Sequence, residues 1–504
     1  MPHGARVQVS QEVVPVRTIL GLEMHFQVTS VKTKLFCSCS ADYRGKPPNT
    51  NVCPVCLGMP GALPKPNRAV VEKALMVALA FNMEISPVLS WARKHYFYPD
   101  LPKSYQITQY DGKGVMSLAR GGRIEVEVGG VKRVFRLRRL NIEEDPARLV
   151  HPTGSALTSP YVLVDFNRSG VPLLEIVTEP DFSSEVEVEA FLKKVRSVLE
   201  HLNVTDFSLE GALRVDVNIS VDGGERVEIK NLNSISDIIQ AIRYERERQL
   251  DALRKNIPIR RETRHWDPIR RVTFPLRRKE VEEDYRYMPD PNLPPLKITR
   301  ELLEKLRREM PELPDAKLRR LVEEHGLSPY LANVLVSRRA LSSYYERVVE
   351  LSGVKGDLVA SYIVNDLLGW VPEESPEKLW KLVPPDVAAK VIKMLSEGLI
   401  TIKMAKEIIP DLLSGRDPEA VVTERGWRVV RDVEELRSVV RQVFAENEKA
   451  VRDALRNKRA IQHLIGKAME RTGKRADPRV LRAIVEEMLE RARAELEEEG
   501  PGAS

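Results

Sequence analysis

All four cysteines of the chain fall within twenty residues, as Cys37-Ser-Cys39 and Cys53-Pro-Val-Cys56 with thirteen residues between the pairs. Two close pairs joined by a short loop suit a tetrahedral thiolate site, because each pair sits on a tight turn that aims both sulfurs at one point. Gly45, Pro47, Pro48 and Asn49 favour a loop between them. Two disulfides would use the same residues. A long chain that places every cysteine in one cluster, with no secretory signature at its start, points instead to metal. Four thiolates leave no open coordination position, so Cys37, Cys39, Cys53 and Cys56 are expected to hold a structural Zn2+.

A second chemistry is carried by carboxylates and one imidazole. In Leu22–Val28 the apolar Leu22, Met24, Phe26 and Val28 alternate with Glu23, His25 and Gln27. That period predicts a half-buried strand with a carboxylate and an imidazole on its polar face. Residues Leu213–Lys230 read as a hairpin, with Arg214, Asp216, Asn218 and Ser220 on one face and Leu213, Val215, Val217, Ile219 and Val221 on the other. A two-residue Gly223-Gly224 turn would set Ile219 against Glu228. A three-residue loop, Asp222-Gly223-Gly224, sets Asn218 against Glu228 and Asp216 against Lys230, keeping polar with polar, and is the expected register. Asp216 and Glu228 then lie diagonally, close enough to share a cation. Further carboxylates occur at Glu143-Glu-Asp145, Asp165 and Glu175. An oxygen-rich set with one imidazole suits Mg2+, a hard ion completed by water and phosphate. An ordinary hairpin with one wet face has the same pattern, and periodicity alone does not bring these groups together.

Other chemistries lack their signatures. The chain has no G-x-x-x-x-G-K-[ST] loop, no G-x-G-x-x-G opening a helix, no G-x-S-x-G elbow and no cysteine outside the cluster.

The elements that must position these residues divide the chain unevenly. With 504 residues, 42% hydrophobic and 30% charged, two to three soluble domains are expected. There is no apolar run long enough to span a membrane, and a cytoplasmic location is expected. The net charge of +6 permits a nucleic-acid partner without requiring one. Residues 1–294 read as α+β, an antiparallel-sheet cradle that carries the cysteine loop. Within it a hairpin over Gly121–Leu140 turns at Gly129-Gly130, and helices are expected over Asn67–Phe81 and Glu185–Leu202. Four prolines in Met288–Pro295 mark a boundary. Helical domains follow, a linking one over 295–398 and a tail over 399–504.

Several motifs resemble one family. Gly21-Leu-Glu-Met-His25, Cys53-Pro-Val-Cys-Leu-Gly-Met-Pro-Gly-Ala-Leu-Pro64, Tyr96-Phe-Tyr-Pro-Asp-Leu-Pro-Lys103 and Tyr105-Gln-Ile-Thr-Gln-Tyr110 are similar to the B subunits of tRNA-dependent amidotransferases (GatB). So are Glu143-Glu-Asp145, Asp165-Phe-Asn-Arg-Ser-Gly-Val-Pro172, Arg214-Val-Asp216, Glu228-Ile-Lys-Asn-Leu-Asn233 and Asp284-Tyr-Arg-Tyr287. The tail motifs Ile402-Lys-Met-Ala-Lys406 and Ala460-Ile-Gln-His-Leu-Ile-Gly466 resemble the YqeY-like helical domain of that family. Pro146 and His95 stand where the family commonly has a small residue and an asparagine.

The resemblance implies an ATP- and Mg2+-dependent ligase that amidates glutamate or aspartate misacylated on tRNA. It implies a heterotrimer (GatCAB) in which a separate glutaminase subunit is the source of ammonia and a small accessory subunit is the third member. It also implies Glu23, His25, Glu144, Asp216 and Glu228 as magnesium ligands or their neighbours. Lys94, Tyr96 and Tyr98 would line the pocket for the tRNA 3′ end and the phosphates, since an unpaired base is held by stacking. From Arg452 to Arg482 the chain has ten Lys/Arg against three Asp/Glu. This stripe, with Arg456, Lys458 and Arg459, is expected to touch tRNA phosphates. A solvated helix face is the alternative.

Overall fold

A computed structural model of the chain describes residues 16–153, 159–277, 285–372, 375–427, 432–456, 460–473 and 475–498. Contacts divide it into two units, 1–317 and 318–504.

Period-2 patterning builds the first unit. Its principal strands are β1 (Thr18–Gln27), β2 (Ala92–His95), β3 (Tyr105–Thr108), β4 (Arg123–Val128), β5 (Val131–Glu144), β6 (Pro172–Thr178), β7 (Leu213–Val221), β8 (Val227–Leu232), β9 (Glu262–Asp267) and β10 (Val272–Arg277). A ten-stranded sheet runs in the order β10-β9-β8-β7-β1-β6-β5, with β4 paired to β5 and two short strands, Ala119–Arg120 and Glu84–Ile85, extending that edge. Every pair in it is antiparallel except β8 with β9. These two are joined through a helix, as a parallel pair requires. Strands β2 and β3 form a separate hairpin.

Three helices cover one face: α1 (Arg68–Ala80), α2 (Glu185–His201) and α3 (Ile235–Arg254). Each begins where a side chain satisfies a free backbone donor. Asn67 accepts from Ala69 N, Ser184 from Glu187 N and Ser234 from Asp237 N. In α2, Glu185 and Glu187 in the first turn and His201 in the last oppose the helix dipole favourably. Leu20, Leu22, Met24 and Phe26 of β1 are buried in a core shared with Val215, Val217 and Ile219 of β7 and with Phe191, Val195 and Leu199 of α2. Phe182 stacks on Phe135 at 4.3 Å and meets Phe191 edge-on at 5.0 Å.

The expected helices are present within one residue at each end, the expected strand begins four residues earlier, at Thr18, and the hairpin turns at Gly129-Gly130 between β4 and β5. Asn218 faces Glu228, the register of a three-residue loop, with Asp222 and Gly223 in left-handed conformation at φ +51° and +75°. The proline-rich stretch lies inside this unit. Met288-Pro289 pairs with β2, and Leu296-Lys297 pairs with Val88-Leu89.

The second unit is helical and holds two apolar clusters. One runs from Leu321 to Val422 and continues through the region of Leu399 without a break. Within it Pro385 opens the helix Pro385–Ser396, where its missing N–H costs nothing. The other gathers Leu436, Val440, Ala454, Leu464, Leu481 and Val485 from the helices Val433–Glu446, Glu448–Arg456, Ile461–Arg471 and Pro478–Glu498. No helix among the described residues is long and apolar enough to cross a membrane.

Candidate active site

The face of the sheet opposite α2 and α3 is polar, and register dictates who meets there. His25 on β1 lies opposite Glu175 on β6 and Arg214 on β7, while Glu23 lies opposite Asp216. Glu175 in turn faces Asn141 on β5. Ligand atoms of Glu23, His25 and Glu175 lie within 4.8 Å of one another. His25 Nε2 is 3.5 Å from Glu143 Oε2. Glu143 accepts hydrogen bonds from Thr108 Oγ1 and from Gln106 Nε2 at 3.3 Å, both on β3. Asn141 Nδ2 donates to Glu175 Oε2 at 2.7 Å, and Arg139 Nε is 3.4 Å from the same oxygen. On the β7–β8 side Lys230 Nζ is ion-paired with Asp216 and stands 3.7 Å from Glu228 Oε1. Thr263 Oγ1 donates to Glu228 Oε2 at 3.1 Å.

Burial and proximity reshape these groups' charges. Burial opposes the His25 imidazolium, yet its hydrogen bond to Glu143 and the charges of Glu143, Glu23 and Glu175 raise its pKa to about 9. Burial works against the Glu143 anion too, but His25, Lys94 and Thr108 hold it down at about 2. Glu175 is pushed up to about 7 by burial and by the charges of Glu143 and Glu23. Such a carboxylate is satisfied by a proton or by a cation. Two buried oxygens, Asn141 Oδ1 and Asn218 Oδ1, have no hydrogen-bond partner among the described residues and belong to the same sheet face. Carboxylates, amide oxygens and one imidazole together fit a hard divalent ion such as Mg2+.

Above this face stands an aromatic group around Lys94. Its Nζ is 4.6 Å from the Tyr285 ring and 5.8 Å from the Tyr96 ring. Tyr110 and Tyr287 stack at 4.2 Å beside it. Burial opposes the Lys94 charge, but Tyr287, Glu143, Tyr96 and Glu23 keep its pKa above that of an ordinary lysine. Tyr98 is half exposed and Phe97 almost fully so.

Glu144 lies elsewhere. Leu140 and Ile142 are in the core, so alternation along β5 places Arg139, Asn141 and Glu143 on the polar face and turns Glu144 away. Its carboxylate binds Lys103 Nζ at 2.5 and 2.6 Å and Ile107 N at 2.8 Å, in a pocket next to the cysteine loop. Asp145 pairs with Arg214 at 2.8 Å and accepts from Gln27 Nε2 at 2.8 Å. Thus the structure brings Glu23 and His25 together with Glu143 and Glu175, and places Asp216 and Glu228 on the adjoining strands. Within Glu143-Glu144 it is Glu143, rather than the expected Glu144, that faces His25, a phase of alternation set by the buried Leu140 and Ile142. Asp165 caps a turn, accepting from Asn167 N at 3.0 Å.

The four cysteines are free thiols, and their sulfurs lie within 4.8 Å of one another. Cys53 N donates to Cys56 Sγ at 3.1 Å. Fully buried Lys34 sits 3.6 Å from Cys56 Sγ and donates to Asn51 O at 2.8 Å. A hydrogen bond from Cys37, with the Lys34 charge, holds the Cys56 thiol well below its usual range, while that bond and burial push Cys37 up and burial pushes Cys39 up. Asn49 and Asn51 tie the intervening loop to residues 165–167, through Asn49 N to Asp165 Oδ1 at 3.0 Å and Asn51 N to Asn167 Oδ1 at 2.7 Å. The cluster can hold zinc.

In the tail, Arg456 ends the helix Glu448–Arg456, while Lys458 and Arg459 lie outside the described residues.

Residues 18–304 match the family model described as the GatB/GatE catalytic domain, and residues 343–489 that of the GatB domain. The chain is 48% identical, over 93% of its length and 99% of the relative's, to a protein of Sulfurisphaera tokodaii named as the B subunit of aspartyl/glutamyl-tRNA(Asn/Gln) amidotransferase. The protein of the same name from Saccharolobus solfataricus matches at the same identity and coverage. That of Thermotoga maritima is 41% identical over 94% of this chain and 99% of its own.

Proposed function

The chain belongs to the GatB family, and on that premise we propose that it is the B subunit of an aspartyl/glutamyl-tRNA(Asn/Gln) amidotransferase. It amidates aspartate or glutamate misacylated on tRNA(Asn) or tRNA(Gln), using ammonia released by a separate glutaminase subunit. A small accessory subunit completes the heterotrimer. The observation that carries the chemistry is the convergence of His25, Glu23, Glu143 and Glu175 on one sheet face beneath Lys94.

A side-chain carboxylate is a poor electrophile, because ammonia would have to expel oxide. Transfer of the γ-phosphoryl group of ATP makes an acyl phosphate, which ammonia displaces. That step needs positioning and charge neutralisation rather than a protein nucleophile. This is consistent with a chain whose cysteines all gather in one cluster and which has no phosphate loop. Mg2+ bound on the polar face would offset charge on the phosphate oxygens. Glu23, His25, Glu143, Glu175, Asp216 and Glu228 are the groups that would hold it, with Glu144 ion-paired to Lys103 instead. Lys94, with Tyr96 against it, adds a half-buried positive charge toward the phosphates, and Tyr98 offers a ring for the tRNA 3′ end. The four cysteines hold a structural zinc.

The test is to incubate the assembled complex with ATP labelled in its γ-phosphate and with misacylated tRNA, withholding any ammonia donor. Label trapped on the aminoacyl-tRNA, and lost with Glu23→Ala or Asp216→Ala, is the expected result. No label and no ATP turnover despite tRNA binding would make the chain a tRNA-binding module without chemistry of its own.

A further inference from the structure

Strand β8 keeps regular register with β7 through Ile219 opposite Val227, Asn218 opposite Glu228 and Val217 opposite Ile229. Then it slips. Val215 faces Leu232, so two residues of β8, Lys230 and Asn231, stand where β7 has Asp216 alone. Asn231 adopts φ +70°, a left-handed conformation unusual for a side-chain-bearing residue inside a strand, and its Nδ2 donates to Trp266 O on β9 at 3.0 Å. A bulge of this kind interrupts the ladder and re-aims a side chain, and bulges gather beside active sites.

The re-aimed side chain is that of Lys230. Its ammonium pairs with Asp216 and lies 3.7 Å from Glu228 Oε1. The Lys230 side chain is 40% exposed, against 18% for Asp216 and 7% for Glu228. It therefore stands between the carboxylates and solvent, where the phosphates of a nucleotide must come to meet a cation held by those carboxylates. A simple cross-strand ion pair would need no bulge.

We propose that Lys230 is a further catalytic residue: its ammonium holds Asp216 and Glu228 in the metal-free site and shifts onto the oxygens of the transferring phosphoryl group once a divalent cation occupies the carboxylates. This role rests on the ATP-dependent reading above. In the step it serves, an oxygen of the substrate carboxylate forms a bond to the γ-phosphorus as the bond from that phosphorus to the β,γ-bridging oxygen breaks. The electron pair leaves on ADP and no proton is exchanged. Lys230 stays protonated throughout and only neutralises charge.

Lys230→Met and Lys230→Arg, each in the assembled complex, separate this role from a structural one. Two quantities are read: Mn2+ binding without nucleotide, by electron paramagnetic resonance, and the rate of label trapping. Lys230→Met removes a competing cation, so Mn2+ should bind more tightly while trapping slows by about 100-fold. Lys230→Arg, which keeps the charge, should recover most of the rate. Trapping at the wild-type rate in Lys230→Met overturns the proposal. So does a joint fall in Mn2+ binding and trapping, which would make Lys230 a counter-ion that merely shapes the carboxylates. Wild-type protein that traps no label removes the ATP-dependent reading and this role with it, whereas normal wild-type trapping with an unaffected Lys230→Met removes the role alone.

Discussion

At the scale of single residues, three consecutive carboxylates go to three destinations. Glu143 meets His25, Glu144 meets Lys103 and Asp145 meets Arg214. Strand alternation separates the first two, so residues adjacent in sequence do unrelated work. Glu143→Gln should weaken Mn2+ binding and slow phosphoryl trapping by about 10- to 100-fold, the usual cost of losing a group that orients a metal ligand. Glu144→Gln should leave Mn2+ binding unchanged. Equal effects of the two substitutions, measured by resonance titration, would contradict the division. The identity of Glu143 was legible from Leu140 and Ile142, whose burial fixes the phase of the strand. Glu175 was legible as a further carboxylate, but its place on this face was not. It lies in Pro172-Leu-Leu-Glu-Ile-Val-Thr178, where Leu173 and Val177 share its face, so the apolar run hides the period of two.

At the scale of elements, the patterns that survived intact were those with clean alternation or a capped apolar stripe. Strand β1, the β4–β5 hairpin and helices α1 and α2 are of this kind. The slip at Asp216 was illegible, because neither Gly nor Pro marks it and Asn231 alone takes the left-handed conformation. Phe191 is wholly buried, with Phe135 and Phe182 against its ring. Phe191→Ala should cost about 3–5 kcal/mol in chemical denaturation. A loss under 1 kcal/mol would mean that the core relaxes around the gap. For the cysteine loop, metal analysis should find about one zinc per chain. Cys56→Ser should release it and lower the melting temperature, and a metal-free preparation that melts normally would remove zinc from the account.

At the scale of the whole molecule, the proposed tRNA contact falls on the second unit. The apolar cluster of 321–422 includes Ile400, Met404 and Ile408, so a cut at 399 would open it. A chain ending after Trp427 leaves that cluster whole and deletes the one around Leu436 and Leu481. This truncation should weaken tRNA binding while ammonia-driven amidation persists at saturating tRNA, and equal loss of both would contradict the separation. Replacing Arg456, Lys458 and Arg459 should lower the slope of log affinity against log salt by about one unit for each phosphate contact removed, whereas an unchanged slope would make the stripe a solvated face. Strand β1 has a final consequence. Leu22, Met24 and Phe26 anchor the core from one side of the same ten residues whose other side presents Glu23 and His25. The chemistry therefore has no local way to melt. On slow heating, loss of catalysis and loss of the sheet's circular dichroism should trace a single curve, and any substitution that tightens that core should extend the working temperature of the enzyme by as many degrees as it raises the unfolding midpoint.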